Sequence, residues 1–252
     1  MTNAFNWDVE ALCAAAWPAL EEETVAGWQL KYARGVSRRS NSANPTLEAA
    51  FELEKVAPAA EAFFRARGLP CRFRILSFLP THMDDWLAAR GYEIESGTRT
   101  LQARDIRASQ QSSRTSLTAR PDADWIAGVT AAQGREGAER ETYARIVSLL
   151  SVPAAFAVTR NDAGEAASWA FAAMTSHGIC IESVATRPDQ RGKGFAGEIV
   201  AALMAWGASR GAGAVFLQVQ ADNHAAVRVY ERLGFDRELY RYHYRTLAVA
   251  AV

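Results

Sequence analysis

A chain of 252 residues, 49% apolar and 22% charged, carries enough apolar material for a sizeable core, and its length falls between one large domain and two small ones. Its 28 Lys and Arg are matched by 28 Asp and Glu, so there is no basic field to attract nucleic acid. Without a secretory-type start or a membrane-length apolar run, no membrane partner is expected and the cytoplasm is the expected address; Cys13, Cys71 and Cys180 are too scattered for a disulfide framework or a zinc motif, so no metal is expected.

In chain order, helical periodicity predicts helices over 9–17 and 47–67, and strands are expected at 27–36, 71–76 and 98–101. Residues 107–116 lack large apolar side chains and are rich in small polar ones, as a solvated connector would be. The expected division is an α/β domain at 1–108, a linker at 109–116 and a second domain at 117–252. Beyond the linker, one helix begins near 123 and another ends near 150. Strands at 155–160, 166–174 and 179–186, joined by tight turns, form an antiparallel meander. A Gly-rich loop follows, then a helix at 195–209, a strand at 214–220, a helix at 223–233 and a strand at 239–247. The expected fold class is therefore α/β of the α+β type: a mixed sheet in which the meander leads into a strand-helix-strand crossover, which requires a parallel pair. Leu87-Ala-Ala-Arg-Gly-Tyr92 before one strand echoes Tyr230-Glu-Arg-Leu-Gly-Phe235 before another, which points either to a degenerate duplication or to a common helix-capping pattern.

The loop Arg191-Gly-Lys-Gly-Phe-Ala-Gly197 precedes a helix with apolar positions Ile199, Val200, Leu203 and Trp206 at helical spacing. A helix start offers unpaired N–H groups and partial positive charge, and glycines allow close backbone approach to an anion, so phosphate is the expected guest. No Gly-Lys-Ser/Thr follows at Walker spacing. Gly192-x-Gly194-x-x-Gly197 does satisfy the dinucleotide fingerprint, but five residues, 187–191, separate it from the strand and a meander stands where another crossover unit would be expected.

The remaining pattern, Arg191-x-x-Gly194-x-Ala196 after the strand Val184-Ala-Thr186, resembles the acyl-CoA loop of the GNAT superfamily of N-acetyltransferases. Asn223-x-x-Ala226-x-x-x-Tyr230-Glu-Arg-Leu-Gly-Phe235 is similar to the segment that follows the next strand in that family. The resemblance covers roughly residues 115–247, and the amino-terminal half lacks the loop.

The resemblance implies that backbone amides of Arg191, Gly192, Lys193, Gly194, Phe195, Ala196 and Gly197 hold the pyrophosphate of acetyl-CoA. It also implies that Val184, Ala185 and Thr186 present the strand to the pantetheine arm, which then behaves as an added strand. Asn223 would touch the same arm, or simply cap its helix. By the same analogy a main-chain N–H near Val184 polarises the thioester carbonyl and Tyr230 protonates the leaving sulfur, although Tyr230 also fits a core position. Glu182 is the candidate base: strand alternation puts it on the face of Val184, and a solvated strand carboxylate is the plainer reading. Arg38 and Arg39 could hold a carboxylate on the acceptor amine, or form a solvated turn. Trp17, Trp28 and Trp86 are expected in the core. The function these readings favour is direct acetyl transfer to an amine of a small molecule or peptide; a silent acyl-CoA binder and a dinucleotide oxidoreductase are the alternatives.

Overall fold

The computed structural model describes residues 3–103, 105–106 and 112–248. The first half contributes α1 (Asn3–Ala16), β1 (Glu21–Val25), β2 (Trp28–Tyr32), β3 (Ala43–Pro45), α2 (Ala57–Arg65), β4 (Cys71–Leu76), α3 (Thr81–Ala88) and β5 (Glu93–Gln102). The second contributes β6 (Thr115–Thr118), α4 (Ala123–Ala132), α5 (Gly137–Ser148), β7 (Ala154–Arg160), β8 (Ala166–Thr175), β9 (Gly178–Thr186), α6 (Phe195–Ser209), β10 (Val215–Gln220), α7 (His224–Arg232) and β11 (Arg237–Leu247). Among the described residues these strands make one mixed sheet of eleven in the order β1-β2-β3-β4-β11-β5-β10-β9-β8-β7-β6. The meander β7-β8-β9 is antiparallel, and the crossover through α6 makes β9 and β10 parallel, as expected.

Several sequence expectations need correction. The helix expected over 47–67 begins only at Ala57, after a 3-10 turn at Leu53–Lys55, because Pro58 suits a first helical turn but not a helix interior. The strand expected over 27–36 stops at Tyr32. Beyond it the Asn41 side-chain oxygen accepts from the Ala33 and Gly35 N–H groups at 2.8 and 2.9 Å, replacing ladder bonds with a local loop. The linker expected at 109–116 loses its end to β6, where Thr115 and Thr159 hydroxyls pair at 2.8 Å inside the sheet; residues 107–111 lie outside the described residues. The strand β1, largely exposed and acidic, shows no apolar alternation, and the three-residue β3 is too short to register as a period.

The two halves exchange their last strands about an approximate twofold axis between β11 and β5. A shift of 144 positions carries Phe73 onto Leu217 and Thr98 onto Tyr242, and the pairs obey it: Tyr242 opposite Leu76 matches Gln220 opposite Thr98, and Arg237 opposite Gln102 matches Thr246 opposite Glu93. On the outer sides, β3 beside β4 is parallel, as β9 is beside β10. The echo between Leu87–Tyr92 and Tyr230–Phe235 thus has a geometric counterpart. Because β11 lies between β4 and β5, and β5 between β11 and β10, neither half keeps all of its strands in one unbroken section of the sheet.

One face of the second half packs Ile179, Ile181 and Leu217 against Ile199, Val200 and Leu203 of α6. On the opposite face, α1 and α4 bury Leu12 and Trp125 over Phe156, Phe171 and Cys180. Trp28 is fully buried, Trp17 is nearly so, and Trp86 is half-buried under Arg90. A buried ionic cluster ties α1 to the first half: Glu10 takes both terminal nitrogens of Arg74, one at 2.9 Å, and also the Tyr240 hydroxyl. Among the described residues no helix is long and apolar enough to cross a membrane.

Candidate active site

The strands β9 and β10 pair only from Ile179–Val215 to Ile181–Leu217, and then diverge. Among the described residues β9 therefore presents an edge with no strand partner over 182–186. Its pairing with β8 is irregular there: three residues of β9 span two of β8 between the Glu182–Phe171 and Ala185–Trp169 pairs, and Ser183 sits at φ 57°. This is a β-bulge, and it breaks the alternation that was expected to put Glu182 and Val184 on one face. Val184 packs with the α6 side, while Cys180 and Glu182 lie on the α1 side.

The loop after β9 makes a short 3-10 turn at Pro188–Gln190 and enters α6 through Gly194, the helix N-cap. Arg191 donates its N–H to Pro188 at 3.4 Å and Gly197 donates to Gly194 at 2.9 Å, so both are engaged within the loop. Among the described residues, no backbone acceptor takes the amides of Gly192, Lys193, Gly194, Phe195 and Ala196. Five consecutive N–H groups at the positive end of a fifteen-residue helix could hold an anion. Gly192 and Gly194 stand at φ 78° and 90° with open space where a β-carbon would point, so conformation rather than crowding requires glycine there. Around them Lys193 donates to the Gln190 side chain at 3.2 Å and Arg191 to the Thr186 carbonyl at 3.3 Å. The first-turn Glu198 is countered by Arg114 at 2.5 Å. Asn223 does cap α7, accepting from the Ala226 N–H at 3.1 Å through its side-chain oxygen, and its amide nitrogen makes no bond to the described residues.

Tyr230 lies on the buried face of α7, edge-on to Phe235 with ring centres 5.9 Å apart. Among the described residues no protein group accepts from its hydroxyl. Burial first, and then the nearby Glu182 carboxylate, push its pKa above the usual phenol range, so the proton stays on oxygen at neutral pH. Tyr230 is thus both a packed residue and an unengaged donor.

Glu182 is not the solvated carboxylate of the plainer reading. It accepts from Arg39 at 2.7 Å, with both side chains little exposed, and Arg39 also reaches the Gln218 side-chain oxygen at 2.5 Å and lies over the Trp17 ring. Burial opposes the charge on Arg39, and Glu182, with smaller contributions from Tyr242, Cys13 and Cys180, outweighs it, so Arg39 stays a cation. Arg39 is therefore not waiting for an acceptor carboxylate, and Arg38 is bound to Glu95 at 2.7 Å. A cleft of about 530 Å³ opens here, lined by Arg38, Arg39, Arg72 and Arg135 against only Glu95 and Glu182. Gln218 adds a buried amide nitrogen with no partner among the described residues. Arg72, Arg135, Tyr242 and Gln218 were missed by sequence reasoning; the one available signal was the alternation of Gln218 and Gln220 in an otherwise apolar strand.

Arg38, Arg72 and Thr246 all donate to Glu95, and against burial they bring its pKa from 4.5 to about 2. A depressed carboxylate stabilises the fold above its unfolded pKa and loses that contribution as pH falls through its folded pKa. The stability difference between wild type and Glu95→Gln in urea unfolding is expected to hold at pH 7 and shrink between pH 4.5 and 2. Nearby, Cys180 and Cys13 touch at 3.4 Å; the hydrogen bond between them and burial push the Cys180 pKa well up, so it offers no thiolate nucleophile at neutral pH.

A sequence model of the family described as "Probable histone acetyltransferase Rv0428c C-terminal" matches residues 7–245. The uncharacterised N-acetyltransferase YobR of Bacillus subtilis (strain 168) is 28% identical over 246 residues, covering 94% of this chain and 96% of its own. Among solved structures, a GCN5-related N-acetyltransferase from Kribbella flavida superposes with a TM-score of 0.65 at 14% identity, over 97% of this chain and 94% of that one. A tandem GNAT protein from the clavulanic acid biosynthesis pathway does so at 0.63 and 16% identity, over 84% of this chain and 76% of that one. At these identities the structures share the fold.

Proposed function

The chain belongs to the Rv0428c C-terminal acetyltransferase family, of the GNAT type, and on that premise we propose that it moves an acetyl group from acetyl-CoA to the amine of a small molecule or peptide by direct attack. The observation that carries this reading is the row of five unengaged amides at Gly192–Ala196, set where β9 parts from β10. In this reading Arg191 and Lys193 supply charge beside the pyrophosphate, and the β9 edge at Val184, Ala185 and Thr186 takes the amides of the pantetheine arm. Asn223 offers its free amide nitrogen to the same arm.

The chemistry divides between the two faces of the sheet. Tyr230 stands on the α6 and α7 side, where it donates its proton to the departing sulfur. Glu182 stands on the α1 side, where the amine arrives and must lose a proton. Arg39 already engages Glu182, so Glu182 takes the proton through water or after the pair loosens. The bulge at Ser183 turns the backbone between them, and a main-chain N–H there stabilises the oxyanion as the nitrogen–carbon bond forms and the carbon–sulfur bond breaks. With Cys180 held as a thiol, no acyl-enzyme step is invoked. Four arginines against two carboxylates favour an acceptor that also carries negative charge.

The direct test is thiol release from acetyl-CoA against amino acids, carboxylate-ended peptides, polyamines and aminoglycosides. Saturable release with one class supports the reading, and no release with any of them, together with no CoA binding, would falsify it. Glu182→Gln is expected to flatten the rise of activity with pH; an unchanged profile removes Glu182 from proton transfer.

A further inference from the structure

The approximate twofold axis gives the active-site cleft a counterpart in the first half. Ala43 pairs Phe73 as Ile181 pairs Leu217, which sets Asn44 in the place of Glu182 and Arg74 in that of Gln218. Gln29 opposite Asn44 likewise stands where Phe171 is opposite Glu182, and Lys31 where Ala173 is. In the second half this part of the face is apolar and covered by packing. In the first half it is polar, and it floors a cavity of about 680 Å³ beneath α1.

The floor carries donors that the protein does not fully use. Lys31, only 4% exposed, has one ionic partner, Glu22 at 3.3 Å, for three N–H groups. Arg74, 2% exposed, gives both terminal nitrogens to Glu10 from α1 above it, while its Nε is buried without a partner among the described residues. Burial, countered by Glu22 and reinforced by Arg39 and Arg74, lowers the Lys31 pKa, which is the penalty a bound anion would relieve. The walls are different. Leu47 and Leu149 line the cavity and are 70% and 48% exposed, an apolar mouth above a floor whose cations Lys31, Arg39 and Arg74 share the lining with the carboxylates of Asp8, Glu10, Glu22 and Glu48.

We propose that this cavity is a second ligand site that takes an amphipathic monocarboxylate, its carboxylate on Lys31 and Arg74 Nε and its hydrocarbon tail on Leu47 and Leu149. Nothing in the proposal needs acetyl transfer, and it stands or falls separately from the active-site reading. The cavity shares Trp17 and Arg39 with the Glu182 cleft, so occupancy is felt at the partner of the candidate base.

The test is tryptophan fluorescence and thermal melting of the full chain titrated with hexanoate and phenylacetate, with hexylamine and hexanol as controls. Saturable binding of the two carboxylates is expected, at least about tenfold weaker in Lys31→Met, which keeps the volume and removes the charge. Leu47→Asp, at the exposed mouth, should weaken hexanoate several-fold without altering the melting temperature of the free protein. Tyr230→Phe should leave hexanoate binding unchanged. Equal binding of hexanol, indifference to both cavity substitutions, or no saturable binding of either carboxylate would each overturn the proposal.

Discussion

Tyr230→Phe is expected to lower kcat by about a hundredfold or more, the range of a lost general acid, while the Kd for acetyl-CoA stays within about twofold. The substitution keeps the ring that packs edge-on to Phe235 and removes only a hydroxyl with no partner among the described residues, so the melting temperature should barely move. A fall in kcat with unchanged binding separates proton donation from packing. If turnover survives intact, the proton reaches sulfur from water or from the attacking ammonium, and Tyr230 is a core residue alone. The raised pKa sharpens the pH expectation: no alkaline loss of activity should trace to Tyr230 within the ordinary assay range.

Gly194→Val should weaken CoA binding by about tenfold to a hundredfold, the equivalent of 1–3 kcal/mol of backbone strain at a left-handed position. Gly194 is the cap of α6 at φ 90°, and a β-branched residue there would either rotate the amides of 194–196 away from a common focus or hold them at a cost. Gly213→Ala is the matching control, since Gly213 has neither a positive φ nor a neighbour where the β-carbon would go. Calorimetry with CoA reads the difference, and melting curves check that the variant folds. Binding equal to wild type would mean that the loop amides do not hold the diphosphate.

Local information carried the second half well. The spacing of Ile199, Val200 and Leu203 placed a helix at 195–209, the bounds that α6 has, and the two tight turns delimited the meander to within a residue or so. The Gly-rich loop was equally legible as a turn into a helix, because its residues are consecutive. The first half was harder to read. Its edge strand is acidic and exposed, Pro58 cuts the expected helix short, and a side-chain amide from Asn41 ends β2 without any apolar signal.

The Gly-rich entry into α6, the helices of the second half and the place of Tyr230 on α7 were thus determined by residues close together in the chain, where periodicity and capping leave a pattern. The partner of Glu182 was not: Arg39 lies 143 positions away, in a loop whose charge alone suggested an empty carboxylate site. Nor could alternation foresee the bulge at Ser183, or the crossing of β5 and β11 that brings the two halves into one sheet. Such contacts are decided by which strands lie side by side after folding, and pairing between distant segments leaves no period in either one to be read beforehand.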